Sequence, residues 1–387
     1  MAITSLINPT GKPSIQDNLW HIATSDNSGQ VDFKFVFDVY NGTEQLIRAK
    51  VYPNPTNGKG YFDAGPVVRN EMDYSWFNPS GEFFSVELND NGQIGQNYTI
   101  KIGEDYSGVT NLNLASGSVT AYNWAAPLFK RRINDLSIKD NNFLTDRFLN
   151  AYVNFGEDLY IGVNSLNDVQ IQKFQNNGTN SSSSTYSPTP GNAEYYQINV
   201  SPDAINTLLG SSFIDSNTNY YLVKIDAGGT NIQLKVNVVC NGKFSPIPLH
   251  FINAYGIFET ARFELVNRLS KNIERKTFEK RDYNFGTSAV NYYTIHEDNN
   301  KYVESKINYG SKINWNYKLT MYPPSDSDYQ WLAQLIDSPL IYAEIDSEYY
   351  PVTIIETNYE YSKHDFNGLK PLELNIEMNQ KRFGYKR

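Results

Sequence analysis

Apolar and polar side chains alternate with a period of two over long stretches of this chain. The first such stretch is "VDFKFVFDVY", Val31 to Tyr40, in which Phe33, Phe35, Phe37 and Val39 alternate with Lys34, Val36, Asp38 and Tyr40. Successive side chains of a strand point to opposite faces, so the segment predicts a strand with one buried face. Asn41-Gly42 follows directly, the dipeptide best suited to a type I′ turn, and a second strand is expected through Leu46 to Tyr52. Another hairpin is predicted with Asn91-Gly92 between Phe83–Leu88 and Tyr98–Ile102. Strands at Asp158–Val163, Val169–Phe174, Tyr195–Val200, Tyr220–Ile225 and Ile232–Val239 recur at the spacing of a sandwich or barrel.

Helical signals are few. "SPDAINTLLGSS" (Ser201–Ser212) has a Ser-Pro start and a Gly stop and predicts one short helix. Further on, Ser327 or Asp328 is expected to cap a helix burying Trp331, Leu332, Leu335 and Ile336, which Pro339 ends. Strands at Leu340–Ile345, Pro351–Thr357 and Leu372–Met378 follow, so the C-terminal third predicts one helix packed on a small antiparallel sheet. Gln175–Glu194 is almost entirely Asn, Ser, Thr, Pro and Gly, and predicts a flexible loop inside a domain.

The stretch "HFINAYGIFETARFE" (His250–Glu264) carries the polar residues of a catalytic loop. Its periodicity instead predicts strands at Leu249–Ile252 and Ile257–Leu265, joined by a turn at Asn253–Gly256. Glu259 and Arg262 sit three apart in a strand, on opposite faces, and so do not form one site. The sequence gives His250 no partner.

Composition supports the β reading: 29 Tyr, 21 Phe and abundant Asn, Ser and Thr suit half-buried strands and the turns between them. A length of 387 residues predicts about two to four domains. The net charge of −9 argues against binding nucleic acid or anionic membranes through a general basic surface. The short basic runs "FKRRIND" (Phe129–Asp135) and "FEKRDY" (Phe278–Tyr283) read as solvated strand ends. Cys240 is the sole cysteine, so no intrachain disulfide forms; ending the apolar "LKVNVVC", it reads as a small buried residue. The N-terminus lacks the basic and apolar regions of a signal peptide and no apolar run reaches the ~18 residues of a membrane span, so a soluble product made in a cytoplasm is expected.

Chemistry-bearing patterns are scarce. No two of His21, His250, His296 and His364 have the spacing of a helical metal site, and there is no HExxH, paired CxxC, P-loop or Gly-x-Ser-x-Gly elbow. The acidic clusters Glu87–Gln93 and Pro324–Gln330 offer oxygen ligands for calcium but lack the EF-hand register, and a hairpin turn and a helix N-cap account for them. A glycosidase needs two carboxylates brought together, and among 42 acids no pair stands out. The Tyr- and Asn-rich loops suit sugars or protein partners. No cofactor and no metal is expected.

Three segments occur in order: "FKFVFDVYNGTEQLIRAKVYPNPTNGKGYFDAGPVV", "YNWAAPLFKRRINDLSIKDNNFLTDRF" and "LHFINAYGIFETARFE". Together they resemble a group of virion proteins from bacteriophages of Bacteroides and Flavobacterium relatives, over about residues 20 to 270. The region from Leu319 to Met378 resembles the small β-barrel with one flanking helix used in phage tail tubes, distal tail proteins and hubs. The fold class expected is therefore mainly β: two Ig-like β-sandwich domains followed by an α+β tail-tube-like small barrel. The boundaries expected are an arm at 1–19, sandwiches at 20–125 and 126–265 (with the loop 175–194) and the α+β domain at 266–387. The resemblance implies a non-enzymatic tail or baseplate component in the virion tail, assembled in the host cytoplasm. It would form a C3, C6 or C12 homo-oligomeric ring that docks other virion tail proteins, with no membrane and no sequence-specific nucleic acid among its partners. Candidate interface residues are Trp331, Leu335, Tyr342, Tyr359 and Tyr361. The alternatives are a peripheral receptor- or carbohydrate-binding tail protein and a neck or connector ring protein.

Overall fold

The computed structural model describes residues 3–11, 13–72, 84–87, 95–124, 142–164, 169–175, 180–186, 196–227, 230–240, 244–279, 306–323, 326–356, 371–379 and 382–386. The protein is mainly β, with five sheets among the described residues. The first two sheets face each other. One is β1 (Ile3–Ile7), β2 (Trp20–Ser25) and β5 (Gly60–Asp63); the other runs in the order β4-β3-β7-β8, from β3 (Lys34–Asn41), β4 (Glu44–Val51), β7 (Gly95–Tyr106) and β8 (Val109–Tyr122). The alternating Phe35, Phe37 and Val39 of β3 meet Tyr98, Ile100 and Ile102 of β7 and Ala23 of β2 in one core. A short α1 (Gly65–Arg69) closes it with Val68.

Three details differ from expectation. The N-terminal segment is no free arm, because β1 pairs with β2 and Ile15 and Leu19 are buried in the core. The first hairpin turns on Gly42-Thr43, since Asn41 pairs with Glu44 and Gly42 has a positive φ of 57° while Asn41 does not. The positive φ values of a type I′ turn occur instead at Ser107-Gly108 (50° and 79°), between β7 and β8, and at Asp346-Ser347 (54° and 62°). Finally, β6 (Phe84–Glu87) does not pair with β7: it pairs with β14 (Tyr196–Asn199) of the next unit, and Asn91-Gly92 lies outside the described residues.

The second unit again has two sheets on one core. Its β6-β14-β11-β9 sheet uses β9 (Asn142–Phe143) and β11 (Tyr160–Asn164). Its β10-β16-β15-β12-β13 sheet uses β10 (Asn150–Val153), β12 (Val169–Gln175), β13 (Asn180–Tyr186), β15 (Thr218–Ala227) and β16 (Thr230–Val238). Ile161, Val163 and Ile198 from the first pack on Ile171, Val223 and Leu234 from the second. The predicted short helix is α2 (Pro202–Leu209), started by Ser201, whose hydroxyl accepts from Ala204 N–H, and stopped at Gly210 with φ 60°. Part of the expected flexible loop is a strand: the serine run Asn180–Tyr186 is β13, paired along β12 as the edge of its sheet. A backbone ladder needs no apolar side chain at an edge, which is why composition alone misses it. Cys240, expected to be buried, is exposed just beyond β16.

The last sheet runs β18-β17-β21-β22-β23-β20-β19, with β24 (Arg382–Lys386) also on β20. Its strands are β17 (Ile247–Ile252), β18 (Phe258–Phe263), β19 (Arg268–Glu279), β20 (Lys306–Met321), β21 (Ile341–Ile345), β22 (Glu348–Ile354) and β23 (Leu372–Met378). It stays open among the described residues, so the expected barrel is not formed. It also contains β17 and β18, so a boundary at 265/266 would cut through it. One helix, α3 (Asp326–Asp337), lies on it with Trp331, Leu332 and Leu335 in the core and Ile336 packed alongside. Ser327 and Asp328 are inside this helix rather than capping it.

A buried histidine in the first unit has a measurable consequence. His21 Nδ1 is 2.8 Å from Asn8 Oδ1 and Nε2 is 2.9 Å from Tyr98 Oη. Burial lowers its pKa from 6.5 to about 4, opposed by nearby Asp63. The unfolded chain therefore takes up a proton near pH 6.5 that the folded chain refuses until about pH 4. Stability present above pH 6.5 is lost as pH falls towards 4, by roughly 3 kcal/mol at about 1.4 kcal/mol per unit. Urea unfolding at pH 7 and pH 4 should show the wild type losing about that much more than His21→Gln; equal losses would refute the assignment.

Candidate functional site

The hairpin β17–β18 lies where the three units meet. Its turn is fixed by Asn253, whose Oδ1 accepts from Tyr255 N–H at 2.9 Å and Ile257 N–H at 3.2 Å. Gly256 has φ 79°, and a Cβ there would lie 2.0 Å from the Asn123 carbonyl oxygen at the end of the first unit. Only glycine meets both demands. Opposite, Gly162 on β11 leaves room for Ile257, whose Cδ1 would be 2.5 Å from an added Cβ. Ile252, Ile257, Phe258, Leu144 and Tyr160 then form a small core of their own, with Tyr122 and Tyr349 against it.

A buried polar network surrounds this core. The Gln197 side chain, on β14, exchanges two hydrogen bonds with the backbone of Phe258: Nε2 donates to the carbonyl at 2.8 Å and Oε1 accepts from N–H at 2.9 Å. That amide occupies the outer edge of β18 as a neighbouring strand would. Beside it, Tyr160 N–H donates to Thr260 Oγ1 at 2.8 Å. His250, fully buried, has Nδ1 2.9 Å from the same hydroxyl oxygen and Nε2 3.1 Å from Glu344 Oε2. With Thr260 accepting from Tyr160, its own proton is available to Nδ1, and Nε2–H then donates to Glu344. Glu344 also accepts from Asp158 N–H at 3.2 Å, while Asp158 accepts from the hydroxyls of Tyr349 and Tyr160 and, at 2.7 Å, from Asn199 Nδ2. Burial, with Asp158 nearby, pushes both tyrosine hydroxyls far above their ordinary pKa.

Glu259 and Arg262 part company, in line with the alternation in the sequence. Glu259 is fully buried, accepting from Thr145 Oγ1 and, at 2.9 Å, from Asn253 Nδ2. Desolvation raises its pKa, opposed by the charge of Arg147 and by these hydrogen bonds. The Arg147 guanidinium stacks 4.5 Å above the Trp331 ring, and burial lowers its pKa against the pull of Glu259 and Asp328. Arg262 instead forks onto Glu157 at 2.7 and 3.1 Å.

The order Thr260, His250, Glu344 is that of a hydroxyl–imidazole–carboxylate array. Here, though, Thr260 is 3% exposed and already bonded to Tyr160, so the array joins β11, β17, β18 and β21 and offers no hydroxyl to a solute. No group of three or more His, Cys, Asp or Glu able to hold a metal occurs among the described residues. No helix there is long and apolar enough to cross a membrane. No protein-family model matches the chain, and no curated protein matches it significantly.

The candidate interface residues are distributed unevenly. Trp331 and Leu335 are 2% and 0% exposed and committed to the core under α3, so they supply no outer surface; the helical spacing that singled them out is the signature of that burial. Tyr342 is partly buried against Phe258, and Tyr359 and Tyr361 lie outside the described residues. The exposed surface lies elsewhere. β19 and β20 pair from Arg268↔Lys318 to Glu279↔Lys306, and every residue of β19 is exposed. The sequence signal was weak, because Leu269, Lys271, Ile273 and Arg275 share one face and mix aliphatic with cationic side chains, which reads as an ordinary solvated strand until its pairing is known.

The Gln197 amide predicts a stability effect. Gln197→Ala leaves the buried N–H and carbonyl of Phe258 without that partner and should cost about 2–4 kcal/mol in urea unfolding. A loss under about 0.5 kcal/mol would mean that the edge of β18 does not depend on it.

Proposed function

We propose that the chain is a non-enzymatic structural component of a bacteriophage tail or baseplate, which assembles into a ring with copies of itself and docks neighbouring virion proteins. In this reading the first two units are Ig-like sandwiches that space and orient the third. The third is an assembly unit of the tail-tube kind, with its sheet open in the single chain. Assembly takes place in the host cytoplasm and the product resides in the virion tail.

The observation that carries the reading is the β19–β20 ribbon. Among the described residues β19 is the outermost strand of its sheet and every one of its residues is exposed, so its outer edge is open to another chain. The residue types of catalysis are, in contrast, engaged in holding sheets together, as His250 and Glu259 are. The overall acidity, −9, suits a ring through which nucleic acid passes without adhering.

Cryo-electron microscopy of the particle that contains this chain tests the reading. It should show the chain in a closed ring of C3, C6 or C12 symmetry, its copies related head to tail. A chain present as isolated single copies within the particle would contradict it.

A further inference from the structure

On β20, Leu319 and Met321 are buried beneath α3 and Tyr317 packs beside them. Strand alternation continues that face outward, past the end of the helix cover, through Trp315, Ile313 and Ser311, as far as the register shift between Gly310 and Asn308. The register sets Leu269 opposite Tyr317, Ile273 opposite Ile313 and Phe278 opposite Ile307. Phe278 and Tyr309 meet at 6.0 Å between ring centroids. The core face of the sheet thus runs out onto a face of β19 where Leu269 and Ile273, 51% and 41% exposed, alternate with Lys271 and Arg275, while Phe278 falls on the opposite face of that strand. The opposite face carries Ser270, Asn272, Lys312 and Asn314. An exposed face on which aliphatic side chains alternate with cations suits a partner surface that is both apolar and acidic.

Charge selects the occupant. β19 and β20 hold seven cations and two acids, leaving +5 on them in a chain that totals −9. The remaining residues therefore carry −14, and a second copy of the same chain presents the complementary charge. We propose that the face of β19 bearing Leu269, Lys271, Ile273 and Arg275 docks on the acidic body of a second copy of this chain, in a head-to-tail contact that leaves the ribbon of the second copy free for a third. The proposal rests on the self-assembly reading above and names its contact face.

Sedimentation of the full chain over a range of concentration and salt tests it, with three variants. The wild type should associate, and more weakly as salt rises. Leu269→Asp and Ile273→Asp each place a carboxylate on the proposed contact face and should weaken association by about 100-fold. Asn272→Asp adds the same charge to the opposite face and should associate within about threefold of the wild type. All these positions are exposed, so equal thermal unfolding of the variants separates lost contact from lost fold. Association that survives Leu269→Asp and Ile273→Asp overturns this contact face while leaving the self-assembly reading intact. A wild type that stays monomeric overturns both, and one that stays monomeric yet co-sediments with DNA assigns the ribbon to a polyanion instead.

Discussion

The exchange of hydrogen bonds between the Gln197 amide and the backbone of Phe258 decides how the last sheet is bounded. A sheet has two outer edges, and each presents unpaired N–H and C=O groups that must be satisfied or left for another chain. At β18 the edge is satisfied internally by Gln197, with Arg147 reaching the Thr260 carbonyl at 3.4 Å. These side chains come from the preceding unit, so closing the edge also joins that unit to the sheet. At β19, the other end of the same sheet, every residue is exposed. One edge is spent on the fold, and the other is left exposed among the described residues.

The same economy governs the polar residues. Burying His250, Glu259 and Glu344 and half-burying Asp158 is costly unless each is hydrogen-bonded, and each has partners from at least one other element. Such networks specify geometry more than they add stability, because a carboxylate or imidazole in the wrong register is left without its partner. The consequence is a fixed relation between β11, β17, β18 and β21, as a protein needs if its working part is an arm held at a set angle.

How much of this could be read from the sequence follows from which interactions are local. The strands around Phe35, Ile161, Val223 and Leu374, the caps of α2, and the buried face of α3 all follow from alternation or helical spacing, and all are present. The hairpin at Asn253–Gly256 and the separation of Glu259 from Arg262 follow from the same rules. What escaped depends on partners far along the chain. His250 meets Glu344 across 94 positions, β6 leaves its neighbour for β14, and the serine run becomes β13 because β12 offers it a ladder. Trp331 and Leu335 have the pattern of a buried face, which is where they lie, whereas the exposed stripe of β19 becomes apparent only when its residues are set opposite those of β20.

The central claim is that the ribbon is the contact surface and the β17–β18 junction is the frame that holds it. Amide hydrogen exchange, compared between the associated protein and the same protein diluted or salted until dissociated, tests it most directly. The account predicts that residues 268–279 and the facing part of β20 exchange more slowly on association, while β17 and β18 exchange equally in both states. Equal exchange across 268–279 in the two states, with protection appearing elsewhere, would contradict it.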